Sequence, residues 1–544
     1  MGLLSLSTCE NPVTMLNMKE IDSLNYVKLD VLALDNIQLI NETCKLANIE
    51  RLTPQNIDDN DEKVWMSIRE DTTGIFQWEG TGEHYIKDLF SDDTISKIKK
   101  QNPNFKFIDL MSVGNGAIRP AGASYRDELS HGIFRDNGNS ELNKLLSSTL
   151  GYLVYQEQIL SFLHEFCGYT MGEADIVRRG FAKKLGTEQY IPRIKEGFIK
   201  TMKEKYNTNE KESEKIVESF IQVIQDASSY LFSLNHSLPY SYIGYICGYL
   251  RYYYPLEFFT VFLNINKDNV EKSSKALEYM KNIGISLKSP KFRYSKAEYF
   301  MDKENNIIYK GIGSIKYMNN IVAEQLYELR DNQYDTFTDL LIDIKNETNC
   351  NIRQLDILVK LDFFQEFGKR AKLLEVVNIF NQLYGKKQIK KDKLIFKEEL
   401  VRQYATTETD KVFKGIDMIG LIKHLESNLP NEDMTIKEII KAELEYYHSP
   451  SYINKELNPS LCCALEINTK YTPVVTFYNI YSGRNCNVKI SKRLWKNNPI
   501  KKCDMVYLNN TYQKNKMKKE NNQWVTLDEY DVWCDDYEIG EFDE

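Results

Sequence analysis

The stretch Tyr155–Lys184, "YQEQILSFLHEFCGYTMGEADIVRRGFAKK", decides how the chain reads. An apolar segment with helical spacing runs into Gly168, and a new helix start follows at once. "TMGE" at 170–173 is a capping box: Thr170 can cap the new helix while Glu173 bonds back to it. Glu173 and Asp175 fall in the first turn, where the helix dipole favours negative charge. Arg179 and Lys183 lie four residues apart and share one helix face, with Arg178 and Lys184 beside it. Two arginines and two lysines on one rigid helix can hold a polyphosphate, arginine by a bidentate fork and lysine by a mobile point charge. Spacing alone leaves open the alternative of a solvated basic face balanced by neighbouring acids.

The bulk numbers set limits. At 544 residues the chain exceeds one compact core, so two to four domains are expected. Apolar residues at 42% and charged residues at 27% suit an ordinary globular protein. A net charge of −8 excludes a global attraction to nucleic acid, so any such site must be a local patch. The ten cysteines include no C-x-x-C pair, which argues against a zinc ribbon and against a secreted disulfide framework. Reduced thiols and a cytoplasmic location are expected. "MGLLSLSTCENP" has no basic start, so no signal peptide is expected. The apolar region Tyr240–Leu263 is interrupted by Arg251 and Glu257 and reads as buried helix, with no membrane partner.

Along the chain, "YVKLDVLAL" at 26–34 looks like a buried strand carrying Asp30. Residues 37–265 are mostly helical in pattern, and "NNIIYKGIGSIK" at 305–316 reads as strand, glycine turn and helix start. Helical patterning returns to about 445, with a lysine-rich interruption at 386–397. From about 460 the period becomes two. The fold expected is multidomain and mainly α, with a small β-barrel-like domain at the C-terminus.

Residues 484–520 hold eleven Lys or Arg against two acids, Asp504 and Glu520. Lys492, Arg493, Trp495 and Tyr512 fall in this run, and a basic groove with interleaved aromatics suits single-stranded DNA. The next 24 residues hold nine acids and no Lys or Arg, which reads most simply as a solvated tail, or else as a segment folded over its own basic groove or contacting a partner.

Motifs in order carry a resemblance. "YQEQ…GYTMGEADIVRRGFAKK" is similar to the fingers motif of the bacterial replicative DNA polymerase III alpha subunit, the C-family polymerases, with Ala182 where that family has glycine. "YVKLDVLALDN" resembles the palm strand bearing the third catalytic aspartate, and "DTTGIFQWEG" at 71–80 resembles a "TTGVFQ" segment. "IDLMSVGNGAIRPAG" at 108–122 resembles a stretch ending in "RPGP", with Ala121 and Gly122 departing from it. "FSLNHSLPYSYIGYICGYLRYYYP" at 232–255 matches at His236, Tyr240 and Pro255 but not at Ser233, Leu234 or Asn235. "YKGIGSIK" at 309–316 resembles the glycine turn of a helix-hairpin-helix region.

The resemblance implies template-directed DNA synthesis from deoxynucleoside triphosphates on primer-template DNA. It implies a palm remnant at 1–36, fingers at 37–265, a helix-hairpin-helix-containing region at 266–345, a helical connector at 346–454 and an OB-like domain with an acidic tail at 455–544. By its motifs, Asp30 would be a catalytic carboxylate and a magnesium ligand. Lys28, Arg178, Arg179, Lys183, Lys184, His236 and Tyr240 would contact nucleotide. Arg119, Gly311, Gly313, Lys316, Lys492, Arg493, Trp495 and Tyr512 would contact DNA, the glycine turn by backbone N–H groups aimed at duplex phosphates. Such a palm needs three carboxylates around two Mg2+ ions. Two of them come from a "PDIDxDF" type segment that occurs nowhere in these 544 residues, and "DDNDE" at 58–62 reads as a polar loop. The expectation is therefore the C-terminal half of a split polymerase, completed by a second polypeptide carrying the N-terminal palm. The alternative is a non-catalytic DNA-binding or scaffold subunit. A compact split form would suit a phage or mobile element, and the location expected is the cytoplasm of a bacterial or phage-infected cell, associated with the nucleoid. No clean sliding-clamp peptide is present, so clamp contact is left open.

Overall fold

The computed structural model describes residues 3–4, 13–24, 33–80, 82–183, 187–227, 231–394, 396–520 and 523–540. Lys28, Asp30, Lys184 and most of the strand expected at 26–34 lie outside them. The chain divides into two compact units, Met1–Tyr254 and Pro255–Glu544.

The first unit is helical around two apolar clusters. One gathers α2 (Glu62–Glu70) and α3 (Phe107–Ala117), while α1 (Asp35–Ala47) packs on the helix Leu234–Tyr253. The centre of that cluster is Trp65, whose ring stacks on Tyr245 at 4.4 Å and Phe90 at 5.4 Å. The other cluster is built by α4 (Gln156–Cys167), α5 (Met171–Lys183), α6 (Ile191–Tyr206) and α7 (Glu210–Ala227). Phe162 sits at its centre, 4.6 Å from Phe220 and 5.9 Å from Phe198. Helix α8 (Leu234–Tyr253) closes the unit and packs along α3. Its small residues make a polar seam there: Ser237 Oγ donates to Ser112 O at 2.7 Å, and Asn115 Nδ2 donates to Ser241 Oγ at 2.8 Å.

Helices α4 and α6 meet where Gly197 crosses the end of α4. A Cβ at Gly197 would stand 2.2 Å from Cys167 O. Alanine normally stabilises a helix interior over glycine by about 0.5–1 kcal/mol. Here the clash is with backbone, so Gly197→Ala is expected to lower stability instead, by about 1–3 kcal/mol, as overpacking does. Urea unfolding of the two chains measures the sign.

The second unit begins with α9 (Pro255–Ile265) and a small sheet of β1 (Ser286–Lys288), β2 (Phe300–Asp302) and β3 (Ile307–Tyr309) in the order β1-β3-β2. After the strand and glycine turn comes a single 3-10 turn, Ile312–Ser314, and the next helix, α10 (Asn320–Glu328), starts later than the pattern implied. Helices α11 (Phe337–Glu347), α12 (Ile352–Lys360) and α13 (Arg370–Leu383) follow. The lysine-rich interruption at 386–397 contains β4 (Gln388–Lys390), which joins β5 (Ala405–Glu408) and β6 (Val412–Ile416) in a sheet that periodicity did not reveal. Helices α14 (Met418–Asn428) and α15 (Ile436–Tyr447) lead into the barrel.

That barrel is closed. Its strands are β7 (Leu461–Asn468), β8 (Val474–Asn479), β9 (Arg484–Ile490), β10 (Met505–Glu520) and β11 (Gln523–Gly540), in the order β8-β9-β11-β10-β7. Strands β9 and β11 pair in parallel, and α16 (Lys492–Asn497) lies between β9 and β10. This is the five-stranded Greek-key arrangement of an OB-like fold. The solvated-tail reading of the acidic C-terminus is corrected: up to Gly540 those residues are a barrel strand. The antiparallel register sets acids against the basic strand, with Lys516 Nζ 2.6 Å from Glu529 Oε2. Lys489 on β9 pairs with Asp531 at 2.6 Å. Local composition gave both charges, and the ladder brought them together. No helix among the described residues is long and apolar enough to cross a membrane.

Candidate nucleotide and nucleic-acid site

Each residue of "YQEQ" has its own structural task. Tyr155 shares a 2.9 Å hydrogen bond with Ser112 Oγ, and burial pushes its phenol up. Gln158 turns back and accepts from the amides of Val154 and Tyr155, both at 2.9 Å. Glu157 accepts from Ser233 Oγ at 2.8 Å and from Leu234 N at 2.9 Å, an acid at the start of α8. Gln156 reaches both ways. Its Nε2 donates to Leu231 O at 2.9 Å and its Oε1 accepts from Arg178 Nη1 at 2.8 Å. The segment before α8 is thereby tied to the basic helix α5.

The capping box that starts α5 is present. Thr170 N donates to Glu173 Oε2 at 2.9 Å and Glu173 N donates back to Thr170 Oγ1 at 3.3 Å. The four cations of this motif do not act alike. Arg178 is only 17% exposed in its side chain and is locked onto Asp175 at 2.8 Å and onto Gln156. It positions α5, which corrects its placement among the surface cations. Arg179 is 67% exposed, with one bond to Asp175 Oδ2 at 2.8 Å. The Arg178 guanidinium holds the Asp175 carboxyl below the usual carboxylate range. Lys183, the last residue of α5, is exposed.

A closed ring of side chains stands next to this link. Arg119 Nη2 donates to Gln77 Oε1 at 2.5 Å, and its guanidinium lies 5.3 Å from the Phe232 ring. Phe232 meets His236 edge-on at 5.2 Å, and His236 meets Tyr240 at 4.0 Å. Tyr240 meets Phe76 at 5.1 Å, which returns the circuit to Gln77. Arg119 Nε is buried and makes no hydrogen bond. Gln77 adopts φ 71°, a left-handed conformation uncommon outside glycine, and local strain of this kind gathers at functional positions.

The structure thus joins Arg119, expected to touch DNA, with His236 and Tyr240, expected to touch nucleotide. Sequence reasoning missed Gln77, Gln156 and Phe232 as partners, although "TTGIFQ" and "YQEQ" contain the first two. It also missed Arg126, which donates to Ala117 O at 2.8 Å, Ile118 O at 3.2 Å and Arg119 O at 2.9 Å, and so holds the backbone beside Arg119.

The remaining candidates belong to the second unit. The amides of Ile312 and Gly313 donate to Lys296 O and Ala297 O, both at 2.9 Å. That corrects the expectation that the turn aims these N–H groups at duplex phosphates. Gly311 is buried, whereas Lys316 is exposed. On the barrel, Lys492, Arg493 and Tyr512 are exposed, but Trp495 packs against the barrel core, which corrects its reading as a free stacking surface. Among the described residues no group of three or more His, Cys, Asp or Glu side chains could hold a metal, so they assemble no ligand set for magnesium.

Residues 107–206 match the model of the bacterial DNA polymerase III alpha subunit finger domain, and residues 284–373 match a helix-hairpin-helix motif. The chain is 26% identical over 399 residues to the DNA polymerase III subunit alpha of Ureaplasma parvum, covering 70% of this chain and 38% of that one. It is 28% identical over 435 residues to that of Campylobacter jejuni, covering 76% and 34%. With that of Buchnera aphidicola it shares 26% over 538 residues, covering 89% and 44%. The chain spans less than half the length of these relatives. By its finger domain and by similarity along most of its length, the chain is similar to a C-terminal part of the bacterial DNA polymerase III alpha subunit.

Proposed function

We propose that these residues supply the fingers, helix-hairpin-helix and OB-like parts of a DNA polymerase, and that a separate polypeptide supplies the missing palm carboxylates. The observation that carries this reading is the Arg119–Phe232–His236–Tyr240 ring tied through Gln156 to α5, in and beside the segment that matches the finger domain. Arg179 and Lys183 meet the triphosphate of an incoming deoxynucleotide, and Arg178 keeps the helix that carries them in place. His236 and Tyr240 offer an aromatic wall to the nucleotide. Arg119 contacts a phosphate of the primer-template. Lys316 contacts duplex DNA by its side chain, and Lys492, Arg493 and Tyr512 contact the single-stranded template. Asp30, with Lys28 beside it, completes the carboxylate set of the partner. Magnesium bound by that set would neutralise charge on the phosphates.

Primer extension tests the split. The purified chain with Mg2+ and four deoxynucleotides is expected to extend nothing. Mixed with a palm-bearing polypeptide, it should co-elute with that partner and extend primers. Robust extension by the lone chain would refute the split, and failure of every palm-bearing partner to bind would leave a non-catalytic DNA-binding subunit.

The two arginines separate within the complemented enzyme. Arg179→Ala removes an exposed ion pair, so stability should move by less than about 1 kcal/mol. Apparent nucleotide affinity should fall by about 1–3 kcal/mol, the range of a charge-assisted contact. Arg178→Ala breaks shielded bonds to Asp175 and Gln156 and should itself cost about 1–3 kcal/mol of stability. Thermal unfolding together with nucleotide titration distinguishes them; equal behaviour of the two variants would sink the division of roles.

A further inference from the structure

A small cavity of about 30 Å3 lies in the second unit. It is walled by the first turns of the helix Val270–Asn282, by Lys310 just after β3, by the 3-10 turn Ile312–Ser314 and by the end of α15. Its polar lining is Lys267, Lys310, His448, four serines and two tyrosines, and it contains no carboxylate.

Lys310 is the buried charge of this cavity. The residue is 3% exposed, and its ammonium lies 3.7 Å from the centre of the Tyr447 ring. Among the described residues Lys310 Nζ makes no ion pair and no hydrogen bond. Burial pushes this ammonium down to about 8, so it is still mostly charged at pH 7. Glu443 acts against that shift, but its carboxylate is already engaged: Oε1 accepts from Ser451 Oγ at 2.6 Å, and Oε2 from Ser451 N at 2.7 Å and Tyr452 N at 2.9 Å. Buried charges are normally paired, and a ring face replaces only part of the lost hydration.

The mouth adds to the imbalance. Lys267 is exposed there and makes no ion pair among the described residues, nor does its chain neighbour Asp268. Glu271, also in the first turn of that helix, pairs with Lys275 at 3.5 Å. Ser273 Oγ and Ser314 Oγ donate to Asn266 O at 3.0 Å and Gly311 O at 2.7 Å. Ser274 and Ser449 donate to no group among the described residues, so their hydroxyls can turn to an occupant.

We propose that this cavity binds one small tetrahedral oxyanion of the phosphate class, held from within by Lys310 and at the mouth by Lys267. A cavity of this size takes about two waters, or one such ion in their place, and shuts out a nucleoside. The bound ion would give Lys310 the counter-charge that no side chain supplies, and would tie the strand before the glycine turn to the end of α15. The phosphate is free in solution or ends a DNA strand. Neither lysine enters the polymerase reading above, so this binding stands or falls separately.

Calorimetric titration of the full chain at pH 7 tests it, with inorganic phosphate and with an oligonucleotide carrying or lacking a 5′-phosphate. Saturable binding is expected, weakened about tenfold or more by Lys310→Met, which keeps the length of the side chain and removes its charge. Lys267→Ala, at the exposed mouth, should weaken it about threefold. Phosphate that also meets the cations of α5 is common to all three chains, so the difference between chains reports this cavity. If Lys310→Met fails to fold, Lys267→Ala decides in the same sense. Binding of inorganic phosphate with this pattern assigns a free ion, and the same pattern for the 5′-phosphorylated oligonucleotide alone assigns a strand end. No saturable binding, or binding indifferent to Lys310→Met, overturns the proposal and leaves the cavity to water.

Discussion

In the split polymerase proposed above, Asp30→Asn is expected to reduce primer extension by the complemented enzyme about a thousandfold or more while leaving assembly intact. Asparagine keeps the shape of aspartate and removes its charge. Carboxylates of a nucleotidyl-transfer palm gather the positive charge that a triphosphate needs, and losing one such ligand forfeits several kcal/mol of transition-state stabilisation. At about 1.4 kcal/mol per tenfold, roughly 4 kcal/mol is a thousandfold. Asp30 sits in "VKLDVLAL", an apolar context where an unpartnered carboxylate is costly, so a functional partner would account for it. Co-elution of the variant with its palm-bearing partner, measured beside its extension rate, separates chemistry from assembly. Near-normal extension by Asp30→Asn would show that the residue is structural and that the family role does not transfer to it.

Arg251→Ala is expected to lower the stability of the first unit by about 3–5 kcal/mol, the range for breaking a buried ionic network on one side. Arg251 lies in α8 and is 1% exposed, with Asp71 3.7 Å away. Its Nη1 donates to Thr73 O at 2.8 Å, and its Nη2 donates to Ser67 O at 2.8 Å and Ser67 Oγ at 3.1 Å. One planar fork therefore holds the end of α2 and the "TTGIFQ" turn against α8. Alanine would leave those acceptors unpaired and open a large cavity. Arg251→Met refills volume without donors and should fall between wild type and alanine. Arg251→Lys cannot span the fork and should recover little. Urea unfolding of the three variants orders them, and a loss under about 1 kcal/mol for alanine would mean the network is not sustaining this junction.

Much of the local structure was legible because it depends on neighbours in sequence. The capping box at Thr170 and Glu173 spans three residues, and the switch to period two near 460 announced the barrel strands. Side-chain roles were less legible. Arg178 and Arg179 are adjacent and chemically identical, yet one is tucked onto Gln156 and the other faces solvent. Only the packing of α5 on α4 distinguishes them. Trp495 sits in a basic run that reads as a stacking surface, but α16 turns it towards the barrel core.

The sequence by itself determined the helices, their caps, the change of period and the ordered motifs of a polymerase finger region, because each is written within a few residues of chain. Only the tertiary structure decided which distant groups meet. Gln77, Arg119 and Phe232 are far apart in the chain and converge because α3, which Arg119 follows, packs on α8, which Phe232 precedes. The acidic C-terminus became a barrel strand because closing the sheet pairs its backbone with a basic neighbour and satisfies both charge and hydrogen bonds. Composition states how much charge a segment carries, and it is the fold that selects the partner which neutralises it.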